Sequence, residues 1–353
     1  MNDIKKPYYI AETAFHHEGD ITFLEKLIKD IAELDINAIK FHLLLDLEDY
    51  IVENHPAKEV LRKISLDEES WLTVFEKVKI LGKEIILLCN DLKSLKFANQ
   101  IQDLFPIAGI ELHSTGLNDL FLLEESILFK KKIILGIGGS TFDEIQYAVD
   151  FLRSNNKNDI LLIHGFQNYP TNYEDINFKR INLLSAAFSL PIGYADHTDP
   201  SDSKNKIIST LPILYGVNVI EKHVTNVFGE KRIDAQAAID METMKDVIEL
   251  GNAIYKSIGE NSITFSEAEL NYGNTGPMKK ALVARRDIEK GEILTKEDIA
   301  FKRTEESSPL LQKDFNKVLG ATALISLKKD QILSFSNLEY TFKKQSFEQF
   351  FVK

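Results

Sequence analysis

Apolar positions along the first 258 residues follow two alternating patterns, one typical of buried strands and the other of amphipathic helices. Short apolar runs predict eight strands. They are Tyr8–Ala14, Ala38–Leu44, Glu84–Cys89, Gly109–Ser114, Lys132–Ile137, Asp159–Gly165, Pro191–His197 and Val217–Thr225. Helical spacing of apolar residues follows each run, over Phe23–Leu34, Glu69–Leu81, Leu92–Gln100, Leu117–Leu128, Phe142–Leu152, Phe178–Phe188, Ser203–Leu214 and Met241–Ile258.

Eight successive strand–helix units predict a (β/α)8 TIM barrel, an α/β fold whose functional residues lie at the C-terminal ends of its strands. An open, doubly wound sheet is the alternative arrangement of the same elements. The first predicted strand runs into the segment AETAFHHEGD (11–20), which lacks the Gly-x-Gly-x-x-Gly fingerprint of dinucleotide-binding sheets. The closed barrel is therefore the preferred prediction.

The pattern changes after Gly259, which marks the end of the predicted barrel at residues 1–261. A polar stretch over 262–278 ends in Gly-Asn-Thr-Gly-Pro and predicts a linker. Short apolar runs and turns then predict a small β-rich domain over 279–341, followed by a C-terminal tail over 342–353. This second domain is too small to hold an active site alone, but it could cover one.

Two histidines stand at the ends of neighbouring predicted strands, His197 in GYADHT (193–198) and His223 in IEKHVT (220–225). A helical stretch separates them, and a strand–helix–strand unit of this kind brings both imidazoles to one face. Neighbouring parallel strands lie about 4.8 Å apart, so the two side chains can share one metal ion. The alternative is a pair of hydrogen-bonded histidines without a ligand.

The formal net charge of −12 argues against a nucleic acid or an anionic membrane as partner, because both select basic surfaces. A single cysteine, Cys89, excludes an intramolecular disulfide and agrees with a reducing compartment. The N-terminus lacks the apolar stretch of a signal peptide, and no apolar run approaches membrane-spanning length. We therefore expect a cytoplasmic protein.

Six motifs, in order along the chain, resemble those of the sialic acid synthases, enzymes that condense phosphoenolpyruvate with N-acetylmannosamine or a related aminosugar. The motifs are IAETAFHHEGD (10–20), AIKFH (38–42), NYPTNYEDIN (168–177), GYADHT (193–198), IEKHVT (220–225) and VARRDIEKGE (283–292). The last of them resembles the family's antifreeze-protein-like (SAF) domain. The resemblance covers both predicted domains and implies a transferase of nonulosonic acid and surface polysaccharide biosynthesis.

The resemblance also implies roles for single residues. His197 and His223 would bind a divalent metal ion, Mn²⁺ or Mg²⁺, which polarises the aldehyde of the open-chain sugar. Glu12 would handle protons at the condensing carbons, and Asp234 would act on the sugar side. The substrate-binding positions implied by the resemblance are Lys40, Ser114, Gln167, Tyr169 and Arg303. Because the small domain of one subunit supplies the arginine to its neighbour in the family, the resemblance implies a domain-swapped homodimer.

Several positions depart from the family pattern around phosphoenolpyruvate, among them Glu111, Gly136 and Ala195. Glu111 stands in the place of a lysine, and Gly136 and Ala195 in the places of serines, whereas Ser114 is retained. A carboxylate about 4 Å from a phosphate charge raises the energy by on the order of 4 kcal/mol at an effective dielectric constant of 20. Backbone amides of residues 136–139, His113 or Lys131 are the candidate replacements for the missing donors.

Two hypotheses remain. In the first, the protein is an active synthase that joins phosphoenolpyruvate to an N-acylated aminosugar with a rearranged phosphate pocket. In the second, it is a divergent paralogue that uses another substrate or binds sugar without catalysis. A lysine or arginine side chain within reach of Ser114 and Gly138 would favour the first hypothesis.

Overall fold

A computed structural model of the protein describes residues 5–166, 168–259 and 263–339. In the first of two structural units, residues 1–260, parallel strands close into an eight-stranded barrel in chain order. The strands are Tyr8–Glu12 (β1), Ala38–Leu43 (β2), Glu84–Cys89 (β3), Ile107–Leu112 (β4), Lys132–Gly136 (β5), Ile160–His164 (β6), Ile192–Asp196 (β7) and Val219–His223 (β8). The predicted (β/α)8 barrel is confirmed, and each strand boundary lies within two residues of its prediction.

Helices alternate with the strands. They are Ile21–Ala32 (α1), Leu47–Tyr50 (α2), Lys58–Ile64 (α3), Glu68–Ile80 (α4), Leu92–Ile101 (α5), Leu120–Ser126 (α6), Phe142–Ser154 (α7), Tyr173–Ile176 (α8), Lys179–Phe188 (α9), Asn205–Thr210 (α10) and Met241–Ile258 (α11). All eight predicted helices are present, whereas the short α2, α3 and α8 were not predicted. In the parts of the chain that the structure describes, no helix is both long and apolar enough to cross a bilayer.

Two helix boundaries differ from the prediction for local chemical reasons. Helix α6 begins three residues later than expected, because the Asp119 side chain caps it by accepting a hydrogen bond from the backbone N–H of Phe121 at 2.9 Å. Helix α10 ends at Thr210, and the chain continues as a 3₁₀ turn over Leu211–Tyr215. Pro212 lies at the start of that turn and has no N–H group to extend an α-helix.

Alternate residues of each strand face the helices and the barrel interior, as strand geometry requires. The outward-facing Phe41 of β2 packs on Trp71 and Phe75 of α4, with ring centroids 5.7 Å apart in both pairs. A smaller apolar layer fills the interior and consists of Ile10, Ala38, Ile86, Ile134, Leu161, Ile163 and Ala195. Inward-facing positions nearer the C-terminal strand ends carry charged side chains, so the candidate site rests on an apolar floor.

The second unit, residues 261–353, is β-rich around its own apolar core. Its elements are the helices Glu267–Tyr272 (α12) and Phe315–Val318 (α13) and the strands Ala281–Ala284 (β9), Ile299–Lys302 (β10), Thr322–Ala323 (β11) and Leu338–Glu339 (β12). Strand β9 pairs antiparallel with β10, and β11 pairs with β12.

The segment predicted as a linker, 262–278, contains regular structure. Helix α12 lies within it, and the backbone carbonyl of Gly276 accepts from the N–H of Thr304 at 3.0 Å. The end of this segment is therefore part of the second unit. The predicted tail over 342–353 lies outside the described residues.

Candidate functional site

A cavity opens among inward-facing residues at the C-terminal ends of the barrel strands, as the fold predicts for a catalytic centre. Its volume is about 30 Å³. Polar lining residues are Glu12, Lys40, Glu111, His113, Ser114, His197 and Glu221. The predicted residues Glu12, Lys40, Ser114 and His197 therefore converge on one cavity, although they are separated by up to 185 positions in sequence, from residue 12 to residue 197.

Lys40 is buried and lies at the centre of a carboxylate cluster. Its ammonium nitrogen is 2.7 Å from Glu111, 2.9 Å from Glu221 and 3.6 Å from Glu12. Parallel pairing accounts for the convergence, because Glu12 of β1 is in register with Lys40 of β2 on one side and with His223 of β8 on the other. Three buried acidic side chains thus surround one buried cation.

The protonation states of this cluster follow from burial and from the cluster's own charges. Burial disfavours the charged form of Glu12, but Lys40 and His223 hold its pKa well below its usual range. Burial, with help from the neighbouring Glu12 and Glu111 and against the effect of Lys40, raises the pKa of Glu221 well above its usual range. Burial would lower the Lys40 pKa, yet its three carboxylate neighbours raise it well above its usual range, so Lys40 is an ammonium ion.

His197 and His223 lie side by side, as predicted, with ring centroids 5.1 Å apart. Burial lowers the pKa of His197 to about 4 and that of His223 to about 3, so both imidazoles are neutral near pH 7. His197 Nδ1 and His223 Nε2 are buried without a hydrogen-bond partner among the described residues. Neutral imidazoles with unpaired ring nitrogens are the form in which histidine binds a metal ion.

The histidine pair therefore fits a divalent metal ion, but as an incomplete ligand set. Among the described residues no group of three or more His, Cys, Asp or Glu side chains is arranged to hold a metal ion. Glu12 Oε2 lies 3.4 Å from His223 Nε2, so its carboxylate faces the pair. A metal ion held by this pair would leave its other coordination positions to water or substrate, as in a catalytic site and unlike a closed structural one.

A second buried ion pair lies behind the two histidines and was not identified from the sequence. Lys222 donates to Asp196 at 2.7 Å, and both side chains are fully buried. Asp196 also accepts from Ser209 at 2.7 Å and from the hydroxyl of Thr198 at 3.0 Å. Each member of the pair immediately precedes one of the histidines, so the pair fixes the strand ends that carry them. The sequence does contain a signal for this ion pair. Side chains alternate along the strand in IEKHVT, so Lys222 must face away from His223.

His42 and Glu221 are further members of the site that sequence reasoning missed. The imidazole of His42 shares a hydrogen bond with Glu12, and Glu221 holds Lys40. The alternation of side chains along a strand would have placed both on the inward face. His42 follows Lys40 by two positions, and Glu221 precedes His223 by two. All four side chains face the barrel interior.

Two predicted sugar-side residues lie in loops above the histidine pair. The ring of Tyr169, in the loop after β6, is 5.6 Å from that of His197 and 6.2 Å from that of His223. Its hydroxyl is buried without a hydrogen-bond partner in the described structure, and burial raises its pKa. Asp234, in the loop after β8, accepts a hydrogen bond from the backbone of Phe15 at 3.3 Å, and burial raises its pKa.

Two other predicted residues are not part of the barrel site as the structure describes it. Gln167 lies outside the described residues. Arg303 belongs to the second unit, where it is exposed and donates from Nε to the backbone carbonyl of Pro277 at 2.8 Å. Its predicted role at the sugar remains a prediction.

The candidate replacements for the lost phosphate donors do not supply a free cation. Lys131 donates to the backbone carbonyl of Ile107 at 2.6 Å, at the opposite end of the barrel, and burial lowers the pKa of His113 to about 4. Among the described residues that line the cavity, Lys40 is the one lysine or arginine. It lines the same cavity as Ser114 and Gly138, and Glu111 is its nearest charged partner at 2.7 Å.

Two family models match this chain. Residues 28–262 match the NeuB family, and residues 279–339 match the SAF domain. The N,N′-diacetyllegionaminic acid synthase of Campylobacter jejuni is 28% identical over 346 residues, which cover 94% of this chain and 99% of that protein. A pseudaminic acid synthase of the same species is 25% identical over 343 residues, or 92% of this chain and 94% of that one.

A solved structure supports the fold. The N-acetylneuraminic acid synthetase of Leptospira borgpetersenii superposes with a TM-score of 0.68 and 23% identity, over 77% of this chain and 93% of that chain. The NeuB match covers most of the barrel, and the SAF match covers the β-rich second unit. The chain therefore belongs to the NeuB family, with a C-terminal SAF domain, and is an enzyme of the sialic acid synthase family.

Proposed function

We propose that the protein catalyses a metal-dependent, aldol-type condensation of a three-carbon donor with the aldehyde of an N-acylated aminosugar to give a nonulosonic acid. The position of Glu12 carries this proposal, because its carboxylate lies between the histidine pair and Lys40. The names of the relatives, synthases of legionaminic and pseudaminic acids, support it. Phosphoenolpyruvate is the donor that the family resemblance implies.

The sugar aldehyde would bind on the side of the two histidines. His197 and His223 would hold Mn²⁺ or Mg²⁺, and the bound ion supplies Lewis-acid polarisation of a carbonyl oxygen. The ring of Tyr169 lies beside both histidines, and its hydroxyl, which has no hydrogen-bond partner in the described structure, could donate to a sugar oxygen. Asp234, in the loop above, can accept a hydrogen bond from a sugar hydroxyl.

Glu12 would move a proton at the condensing carbons. Its low pKa keeps it ionised near neutral pH, so it can accept a proton. His42 orients the carboxylate by a hydrogen bond to Oε1, and Lys40 lies 3.6 Å from the same oxygen. This support holds the carboxylate in one orientation towards the histidine pair.

A second candidate function rests on the contact between Lys40 and Glu111. A lysine that is neutralised by a buried glutamate at 2.7 Å is a poor partner for a phosphate group. A divergent paralogue would then use another donor, or it would bind the sugar without catalysis.

One incubation tests the proposed function. The purified protein with Mn²⁺ is given a donor, either phosphoenolpyruvate or pyruvate, and a panel of N-acylated hexosamines. We expect a product whose mass equals that of one hexosamine plus the three-carbon unit, measured by mass spectrometry alongside phosphate release. Sugar binding without a product from any donor would instead identify a non-catalytic sugar-binding protein.

The metal site gives a prediction of its own. Saturating Mn²⁺ should stabilise the folded protein, by about 2.7 kcal/mol at 100 times the dissociation constant. His197→Ala and His223→Ala should each remove the shift in unfolding temperature, and His55→Ala, at an exposed histidine between α2 and α3, should keep it. A wild-type protein that does not respond to Mn²⁺, Co²⁺ or Zn²⁺ would refute the metal site.

We further propose a cytoplasmic homodimer in which the second unit of one subunit covers the barrel of its partner. Arg303→Ala should then weaken aminosugar binding by roughly 10- to 100-fold, the effect of losing a charge-assisted hydrogen bond. Lys302→Ala is the control, because Lys302 pairs with Asp330 at 2.5 Å. Light scattering and calorimetry provide the measurements. A monomer that binds the sugar fully after deletion of residues 279–353 would contradict this proposal.

A further inference from the structure

A second and much larger cavity opens at the N-terminal ends of the barrel strands. Its volume is about 570 Å³, compared with about 30 Å³ for the candidate site at the C-terminal ends. Small-molecule sites have volumes of roughly 300–1,000 Å³ and mostly apolar walls. Catalysis in this fold belongs to the C-terminal ends of the strands, so the proposed condensation does not account for this space. The apolar wall of this lower cavity includes Ile10, Ile86, Ile107, Ile134, Leu161 and Val219.

The lower cavity and the candidate site, or upper cavity, are separated by one layer of side chains. Six strands contribute a lining residue to each cavity, and on every one of them the two residues are two positions apart. On β1 these residues are Ile10 and Glu12, and on β8 they are Val219 and Glu221. Two positions along a strand span about 7 Å. The lower cavity is therefore a separate site, and its inner wall lies directly beneath residues of the upper one.

Lys131 brings to the lower cavity a positive charge that no acidic side chain neutralises. Its ammonium group donates to the backbone carbonyl of Ile107, a wall residue, at 2.6 Å and to that of Gln102 at 3.4 Å. Among the described residues no carboxylate forms an ion pair with it, whereas the neighbouring Lys132 pairs with Asp159. An ammonium group has three N–H donors, so the two carbonyls fix its position and leave one donor for an anion.

The other charged residues of the lower cavity limit the ligand to a single negative charge. Lys5 is exposed and lines the cavity, as does Glu84. With Lys132 already paired, Lys5 and Lys131 against Glu84 leave one net positive charge. A ligand with a second anionic group would meet repulsion from the Glu84 carboxylate.

From these observations we propose that the lower cavity is a binding site for a monocarboxylate with an apolar body of medium size, such as a medium-chain fatty acid. The carboxylate accepts a charge-assisted hydrogen bond from Lys131. The apolar body lies against the isoleucine, leucine and valine side chains of the inner wall, where it is removed from water. The site lies outside the upper cavity, so the inference does not depend on the proposed condensation.

Calorimetric titration of the full chain with octanoate, octanol and acetate tests this inference. Octanol lacks the charge of octanoate, and acetate lacks its apolar body. We expect saturable binding of octanoate, binding of octanol that is roughly 10-fold weaker or less, and no measurable binding of acetate. Absence of octanoate binding, or octanol binding as tight as that of octanoate, would overturn the proposal.

Variants at the wall locate the ligand. Lys131→Met should weaken octanoate binding by roughly 10- to 100-fold and leave octanol binding unchanged. Lys157→Met is the matched control and should bind octanoate as wild type does. Lys157 also donates to a backbone carbonyl, that of Phe129 at 2.7 Å, but it is not among the described lining residues of the lower cavity. Unchanged octanoate affinity in Lys131→Met would place the ligand elsewhere and overturn the proposal.

A change of shape gives a second test that leaves the charges as they are. Ala108→Phe places a ring in the lower cavity and should abolish the binding of both octanoate and octanol. Its unfolding temperature, compared with that of wild type, shows whether the variant is folded. Octanoate binding that appears only after removal of residues 2–4 would also overturn the proposal, because the chain's own N-terminus would then be the occupant.

Discussion

Glu111→Lys is expected to raise the affinity of the protein for phosphoenolpyruvate by about 1000-fold or more. The substitution removes a repulsion and adds an attraction, each on the order of 4 kcal/mol at 4 Å and an effective dielectric constant of 20, and every 1.4 kcal/mol is tenfold in affinity. Lys40 would keep the ionised Glu12 carboxylate at 3.6 Å, so the new ammonium group would not leave it without a counter-ion. Calorimetric titration of phosphoenolpyruvate into both proteins with Mn²⁺ present gives the ratio.

Gly136→Ser and Ala195→Ser should add to this gain, since each restores a hydroxyl donor worth about 1 kcal/mol. In an otherwise wild-type chain, Gly136→Ser should instead destabilise the protein, because its Cβ atom would crowd the Glu111 carboxylate at 3.0 Å. Glu111→Gln is the intermediate control, since it removes the repulsion and adds no attraction. Micromolar binding of phosphoenolpyruvate by wild type, with no gain in Glu111→Lys, would show that the pocket has not changed its preference.

The second large effect is expected at the buried ion pair behind the histidines. Lys222→Met should lower the free energy of unfolding of the barrel by about 3–5 kcal/mol, because it leaves the fully buried Asp196 carboxylate without its counter-ion. Urea unfolding followed by fluorescence measures this effect. The chain has one tryptophan, Trp71, and this residue is buried in the barrel unit, so it reports on that unit.

Lys132→Met is the matched control. Lys132 pairs with Asp159 at the start of β5, but this pair is exposed and should contribute at most about 1 kcal/mol. The double variant Lys222→Met with Asp196→Leu should lose less than the sum of the two single variants, since no buried charge is then unpaired. A loss below 1 kcal/mol in Lys222→Met would refute the view that this pair holds the strand ends in place.

The candidate site was only partly predictable. His197 and His223 could be found because each follows a buried strand, and adjacent parallel strands bring their ends together. Glu12 and Lys40 came from the motif resemblance, and the register of β1 with β2 and β8 brings them to the same level of the barrel. Alternation along β2 and β8 places their partners His42 and Glu221 on the same inward face, but which of these side chains make contact depends on distances across the barrel.

Glu111 is the clearest example of a site residue whose orientation depends on the tertiary structure. An apolar run of this length is compatible with a Glu111 side chain that faces the cavity and with one that faces outward, so the sequence alone does not fix its orientation. Closure of the barrel decides the matter. The inward face of β4 carries Glu111 to 2.7 Å from Lys40 of β2, and Lys131 lies at the other end, bound to a backbone carbonyl.

By itself, the sequence determined the number and order of the barrel strands, the strand-end position of the histidines and the presence of a second β-rich unit. These properties depend on local periodicity and on the chain direction of parallel strands, and both can be read from short segments of the sequence. Only the tertiary structure decided which charges neutralise each other. Ion pairing in a buried site depends on separations of a few ångströms between residues far apart in sequence, such as Lys40 and Glu221.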